Sequence, residues 1–330
     1  HIPYDPPPPY DKRFKSQPYD GEVAYMDAQL GPFLQHLERS GILGSTVVVI
    51  CGDHGESLGE HGELTHGIFL YEATTRVPLL VHLPGQTEGD HFSDTVGLVD
   101  LSPTLRDLCA LPATASDGAS LAPLMARKPW EKHPIYLESL DGLDSFGWAP
   151  LYGLMDGPDK FILAPRRELY NIAKDPRELD NLFGQGPDVA KLLEVRLKDM
   201  IGKTKPASTE SLSLDQEELR SLQSLGYIGG SPGRSGASYK DPKDGIAIVK
   251  DYDQALEYFG TGRFEEAVKA FQALLAREPN NAQFNAYLGL CYERADPKKA
   301  IAYYKQAIRC RQDYLQAYEQ LVWVLETQGR

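Results

Sequence analysis

No two cysteines stand close together in this sequence. The four, Cys51, Cys109, Cys291 and Cys310, are scattered, which excludes a disulfide framework and a CxxC metal site. Cations are in the minority: 34 Lys and Arg stand against 47 Asp and Glu, for a net charge of −13. That balance argues against nucleic acid as a partner, because phosphate binding needs clustered Lys and Arg. It leaves room for a local basic pocket and an anionic substrate. No apolar run approaches the roughly 20 residues of a membrane helix. The sequence begins at His1 rather than Met and shows no signal peptide. It reads as a processed, excised or truncated piece, so the missing leader says nothing about the compartment. What is present is ordinary for a globular chain of 330 residues, 42% hydrophobic and 25% charged, which allows two domains and a sizeable core.

The sequence turns on residues 46–83, TVVVICGDHGESLGEHGELTHGIFLYEATTRVPLLVHL. A β-branched run, 46–50, stops at Cys51-Gly52 and meets Asp53-His54-Gly55, then His61 and His66. A second apolar run, 77–83, closes the stretch. Ligands of α/β enzymes sit outside the carboxyl ends of parallel strands, so this loop is the first candidate for chemistry. Upstream, IPYDPPPP at 2–9 cannot be helix or central strand. Asp20 can cap a helix carrying Val23, Met26, Leu30, Phe33, Leu34 and Leu37 on one face, kinked at Pro32 and ended by Gly41 or Gly44. Helix followed by strand suggests a crossover onto a parallel sheet. Ser102-Pro103 reads as the start of a helix bearing Leu105, Leu108 and Cys109.

Residues 134–173 change character. Tyr136-Leu137, 151–154, 160–163 and 169–172 read as strands, with a hairpin turn at Asp156-Gly157-Pro158-Asp159. They suggest a small antiparallel sheet, followed by helical spacing over 188–201. Residues 204–245, with GGSPGRSGAS at 229–238, read as a linker containing one short helical piece at 214–225.

Residues 246–330 repeat with a 34-residue period. Ala255, Tyr258, Gly262, Ala267, Phe271 and Pro279 fall at small, large, turn, small, large and stop positions. Gly289 and Tyr292 take the places of Ala255 and Tyr258. Ala300 and Tyr304 match Ala267 and Phe271 after a one-residue deletion, and Gly262-Arg263 recurs as Gly329-Arg330. This pattern resembles the tetratricopeptide repeat, in two units plus a partial third. About three units are needed for a continuous core, so the array is expected to be cut short.

Asp53 and His54 can reach one cation if the backbone bends at Gly52 and Gly55. Carboxylate plus imidazole suits Mn, Zn or an oxygen-rich Ca site. The same pair suits a plain strand-to-helix turn, with Asp capping and His solvated. His66 either donates to an anionic oxygen or is a surface loop histidine. His61 reads as fixing its loop through local hydrogen bonds, Cys51 as a small buried strand-end residue, and His1 as a solvated terminus.

DHGESLGEHG at 53–62, with His66-Gly67, Tyr71-Glu72 and Arg76-Val77-Pro78, resembles the sulfatase branch of the alkaline-phosphatase superfamily. So do His1-x-Pro3-Tyr4, LVDLSPTLRDLCAL (98–111) and ELYNIAKDPRELDNL (168–182), in that order along residues 1 to about 200. The resemblance implies an α/β fold: the carboxy-terminal part of an α/β/α sandwich with a small antiparallel sheet, over 1–203, before the all-α array at 246–330. It implies Asp53 and His54 as ligands of one divalent cation, calcium first, with His66 gripping the transferring group and His1 on that group or the leaving oxygen. It also implies a formylglycine nucleophile made from C/S-x-P-x-R. No such motif occurs here, nor do the early aspartate ligands, so this chain is expected to bind metal weakly and turn over no ester.

The expected function is hydrolysis of sulfate or phosphate esters, with a protein or peptide partner in the repeat groove. Asp-His in place of the Asp-Asn of many members is closer to phosphonate monoester hydrolases and phosphoethanolamine transferases, which stand as alternatives. A non-catalytic scaffold built on the repeats is the reading from another class. Sulfatases of this kind are often exported, which points to an extracytoplasmic compartment that the sequence itself leaves open.

Overall fold

A computed structural model describes residues 4–203 and 239–328. His1, the helical piece at 214–225 and Gly329-Arg330 lie outside the described residues. Two compact units emerge: residues 1–58, 72–135 and 156–158 form one, and residues 59–71, 136–155 and 159–330 form the other.

In the first unit, helix α1 spans Pro18–Arg39. Pro18 occupies its first turn, where no backbone N–H is required. Asp20 therefore sits inside the first turn and not at the cap, where its charge still complements the helix dipole. The helix runs through Pro32 and stops before Gly41, whose φ of 76° breaks the spiral. Val23, Met26 and Phe33 of its apolar face are exposed among the described residues.

Strand β1, Val48–Cys51, pairs with β2, Leu79–His82, in antiparallel register, Val48 opposite His82 and Cys51 opposite Leu79. This corrects the expected parallel crossover. A helix before a strand fixes neither the strand's neighbour nor its direction, and no crossover helix connects β1 to β2; the longest helix between them is the single turn Glu72–Thr75. Cys51 is exposed at the strand end, not buried. Helix α2 begins at Leu101, so Ser102 lies within it and Asp100 precedes it. Asp100 is fully buried because its carboxylate is satisfied: it accepts from the Gly97 and Ala119 amides, each at 2.9 Å.

In the second unit, strands β3 (Ile135–Ser139), β4 (Leu151–Asp156), β5 (Asp159–Leu163) and β6 (Glu168–Asn171) form a sheet in sequential order. The short helix α3, Asp141–Phe146, falls between β3 and β4. β5 and β6 are antiparallel, with Phe161 opposite Leu169. Leu154, Phe161 and Leu169 pack against Ala190, Leu193 and Leu197 of helix α4, Pro187–Lys203.

Helices α5 (Val249–Gly260), α6 (Phe264–Arg277), α7 (Ala282–Tyr292), α8 (Pro297–Cys310) and α9 (Leu315–Gln328) follow. The periodic positions are the core: Ala255, Ala267, Phe271, Ala300 and Tyr304 have no exposed surface. Gly289 shows why a small residue is needed, since a Cβ there would stand 2.5 Å from the Tyr304 ring. The last residues of the expected linker are packed. Lys240 pairs with Trp148 in a parallel bridge, and a helical turn, Pro242–Gly245, leads into α5.

Candidate active site

After β1 the chain turns sharply over Gly52–Gly55. The Gly52 amide donates to the Pro78 carbonyl at 3.2 Å, and the Gly55 amide to the Thr74 carbonyl at 2.8 Å. Gly55 is obligatory: a Cβ would lie 2.3 Å from the Ala73 carbonyl oxygen. Asp53 and His54 are thus carried on a loop pinned on both sides. His54 Nδ1 lies 2.9 Å from the Gly55 carbonyl oxygen, which places the proton on Nδ1 and leaves Nε2 as the acceptor nitrogen. Nε2 stands 3.8 Å from Asp53 Oδ1. A backbone carbonyl fixing the outer nitrogen is the arrangement metal-binding histidines use. Carboxylate oxygen and imidazole nitrogen side by side fit a divalent cation as two of its donors. Among the described residues no cluster of three or more His, Cys, Asp or Glu side chains is placed to hold one.

Tyr4 belongs to the same unit and faces this loop. Burial first, and then the Glu56 carboxylate, push its phenol well above the usual range. Tyr4 therefore adjoins the DHGE segment at Glu56; residues 1–3, His1 among them, lie outside the described residues.

His61 and His66 belong to the other unit. Buried Glu63 shapes their loop: Oε1 accepts from the Ile68 amide at 2.7 Å and Oε2 from the Phe69 amide at 3.2 Å. This closes a tight loop with His66 at its crown. Gly67 (φ 108°) accepts a short hydrogen bond from Ser139 Oγ on its carbonyl. Its α-carbon lies against Asp141, whose Oδ2 would be 3.3 Å from a Cβ there. Burial pushes the Asp141 carboxyl above its ordinary range, against the hydrogen bond from Ser145 and the charge of His66. His61 Nε2 lies 3.0 Å from the Arg177 carbonyl oxygen, and its ring stacks on Tyr71, so its anchoring is long-range and not local. Tyr71 and Tyr170 both donate to Glu168 Oε2 at 2.7 Å, and Lys243 forms an ion pair with Oε1 at 2.5 Å.

Sequence reasoning missed Glu63, Tyr71, Glu168 and Asp141 as supports of this loop. Glu63 had a faint signal, a lone carboxylate before the apolar run 68–71; the others meet over distances of up to 97 residues.

The sulfatase family model matches residues 1–110, which hold Asp53, His54 and His66. The model of the N-sulphoglucosamine sulphohydrolase C-terminal region matches residues 59–205, and a tetratricopeptide repeat model matches 252–314. Residues 1–205 belong to the sulfatase family. Choline-sulfatase of Rhizobium meliloti (strain 1021) is 33% identical over 171 residues, covering 50% of this chain and 32% of the relative. Arylsulfatase K of Danio rerio is 32% identical over 218 residues, covering 63% and 41%. The chain spans a third to two-fifths of the length of these relatives. Among solved structures, Ps i-CgsB in complex with k-i-k-neocarrahexaose superposes with a TM-score of 0.53 at 18% identity, covering 68% of this chain and 52% of that one. A sulfatase-like protein of Bacteroides fragilis, yidJ, gives 0.51 at 18%, covering 61% and 51%. These establish the sulfatase α/β fold, with its small antiparallel sheets and a helical carboxy-terminal region.

Proposed function

We propose that this chain is part of a metal-dependent hydrolase of sulfate esters, with the repeats serving protein association. The observation that carries the reading is the Asp53–His54 pair, oriented and tautomer-fixed inside the segment matched by the sulfatase model. In the whole protein Asp53 and His54 would hold one divalent cation, with calcium the first choice and manganese or zinc the alternatives. A bound cation supplies charge neutralisation at the oxygens of the transferring group. His66 would donate to a non-bridging oxygen as negative charge builds there. His1 would donate to the leaving oxygen. The nucleophile, a formylglycine, and the remaining ligands would come from the part of the whole protein not spanned here. Choline-sulfatase and arylsulfatase K favour sulfate over phosphate as the transferring group.

The test is Asp53→Ala in the full-length protein, assayed on aryl sulfate and aryl phosphate side by side. Loss of several orders of magnitude in turnover of the sulfate is expected. A loss below tenfold, about 1.4 kcal/mol, is too small for a ligand and rejects that role.

A further inference from the structure

The tetratricopeptide helices do not stand apart from the sulfatase sheet. They grip α3, which supports the loop that carries His66. Phe146, the last residue of α3, stacks on Trp148 with centroids 4.3 Å apart, and its edge meets Tyr252 of α5 at 5.3 Å and Phe284 of α7 at 6.0 Å. All four rings are buried. Two polar contacts fix the rest of α3. Asn281 Nδ2 donates to the Ser145 carbonyl at 3.0 Å, and Arg311 NH1 to the Asp144 carbonyl at 2.8 Å. Carbonyls near a helix end lack intrahelical donors, so the repeats supply what α3 cannot. The same helix turns inward: Ser145 Oγ donates to Asp141 Oδ1 at 3.0 Å, and Asp141 Oδ2 lies under Gly67.

A second path leads to the same loop. Lys243, at the entry to the repeats, pairs with Glu168, which accepts from Tyr71, on which His61 stacks. The junction between the paths is tightly packed. Gly245 lies so close to Trp148 that a Cβ would be 2.2 Å from the indole ring.

We infer that Asn281 and Arg311 are positioning residues for His66: the repeat domain completes the wall of the sulfatase site through α3, instead of hanging from it as a detachable adaptor. This rests on the sulfatase reading of His66. Because His66 is assigned to charge that builds in the transition state, misplacing it lowers kcat more than it raises KM. A residue acting through His66 has no effect once His66 is gone.

The experiment is a double-mutant cycle in the full-length protein, with aryl sulfate as substrate. Asn281→Asp keeps the helix cap, since its oxygen still accepts from the Phe284 amide, and turns the donor to Ser145 into an oxygen that repels that carbonyl. Combined with Arg311→Ala, it is expected to lower kcat about tenfold with KM within twofold. Arg311→Lys should recover part of the loss. In a His66→Ala background the same pair should cost less than twofold. Should the double variant not fold, Ser145→Ala, which removes only the hydroxyl on Asp141, is carried through the same cycle. A His66→Ala loss with no loss from the pair overturns the positioning role and leaves the sulfatase reading intact. Equal losses in both backgrounds overturn it in favour of a general structural role. No loss from His66→Ala overturns both.

Discussion

His61 lies flat on Tyr71, with ring centroids 3.6 Å apart and planes 17° from parallel. The contact closes the loop that presents His66, and His61 holds a left-handed backbone, φ 53°, to make it. Asn tolerates that conformation better than most residues. His61→Asn therefore removes the ring and its bond to Arg177 with little added backbone strain. Stacking is worth about 0.5–1.5 kcal/mol and one hydrogen bond about 1. Urea denaturation should show a loss of about 1–2 kcal/mol. Tyr71→Phe, which keeps the stack, should lose only the hydroxyl's share.

On the proposed reading, residues 1–330 contribute only Asp53 and His54 to a cation site, and they hold no C/S-x-P-x-R motif. Two protein donors are too few for a tight site. Titration calorimetry with calcium or manganese should give binding no tighter than about millimolar, the weak end for such ions. No aryl sulfate should be turned over by this chain. Metal-dependent release of the phenol would refute the assignment of the nucleophile to the remainder of the protein.

Gly289 packs against the buried Tyr304 ring. Replacing it with Ala raises two opposing effects. Helix propensity favours Ala by about 1 kcal/mol. The added Cβ, 2.5 Å from the ring, must displace a side chain with no exposed surface, an overpacking cost of about 1–3 kcal/mol. The clash should win, and Gly289→Ala should lower the denaturation midpoint. A rise would mean that the ring moves aside freely.

Asp253, in α5, has its carboxyl raised to about 6, by burial first and then by the charge of Asp141. The folded value lies above the ordinary 3.8, so the fold prefers the protonated acid. Its contribution to stability is complete below about pH 4 and is lost as pH rises towards 6; above that the penalty is constant. A difference of two pKa units corresponds to about 1–3 kcal/mol after partial exposure is allowed for. Asp253→Asn should melt higher than the parent at pH 8 and alongside it near pH 4. Equal melting at both pH values would place Asp253 in water.

The repeats were legible because their signal is local. Ala255, Ala267, Gly289 and Ala300 fall at close helix crossings, and Phe271 and Tyr304 fill the space between. The hairpin at Gly157 was legible for the same reason, since a turn residue needs only its neighbours. The direction of β1 against β2 was not, because strand partners are chosen across the fold. The Asp53–His54 loop could be located, and Gly52 and Gly55 foretold its bend. The supports of His66 could not: Ser139, Asp141 and Glu168 are distant in sequence and carry no spacing that links them to Gly67 or Tyr71. Isolated polar residues between apolar runs look alike whether they face water or one another.

The seat of Trp148 on Gly245 decides whether the array is portable. A repeat domain joined by a slack tether could be cut out and fused to another hydrolase. This one brings its own socket, formed by Trp148 and Phe146 on the sulfatase side and by Gly245, Tyr252 and Phe284 on the other. A graft that carries residues 245–330 alone leaves Trp148 and Phe146 behind and exposes two aromatic faces to water.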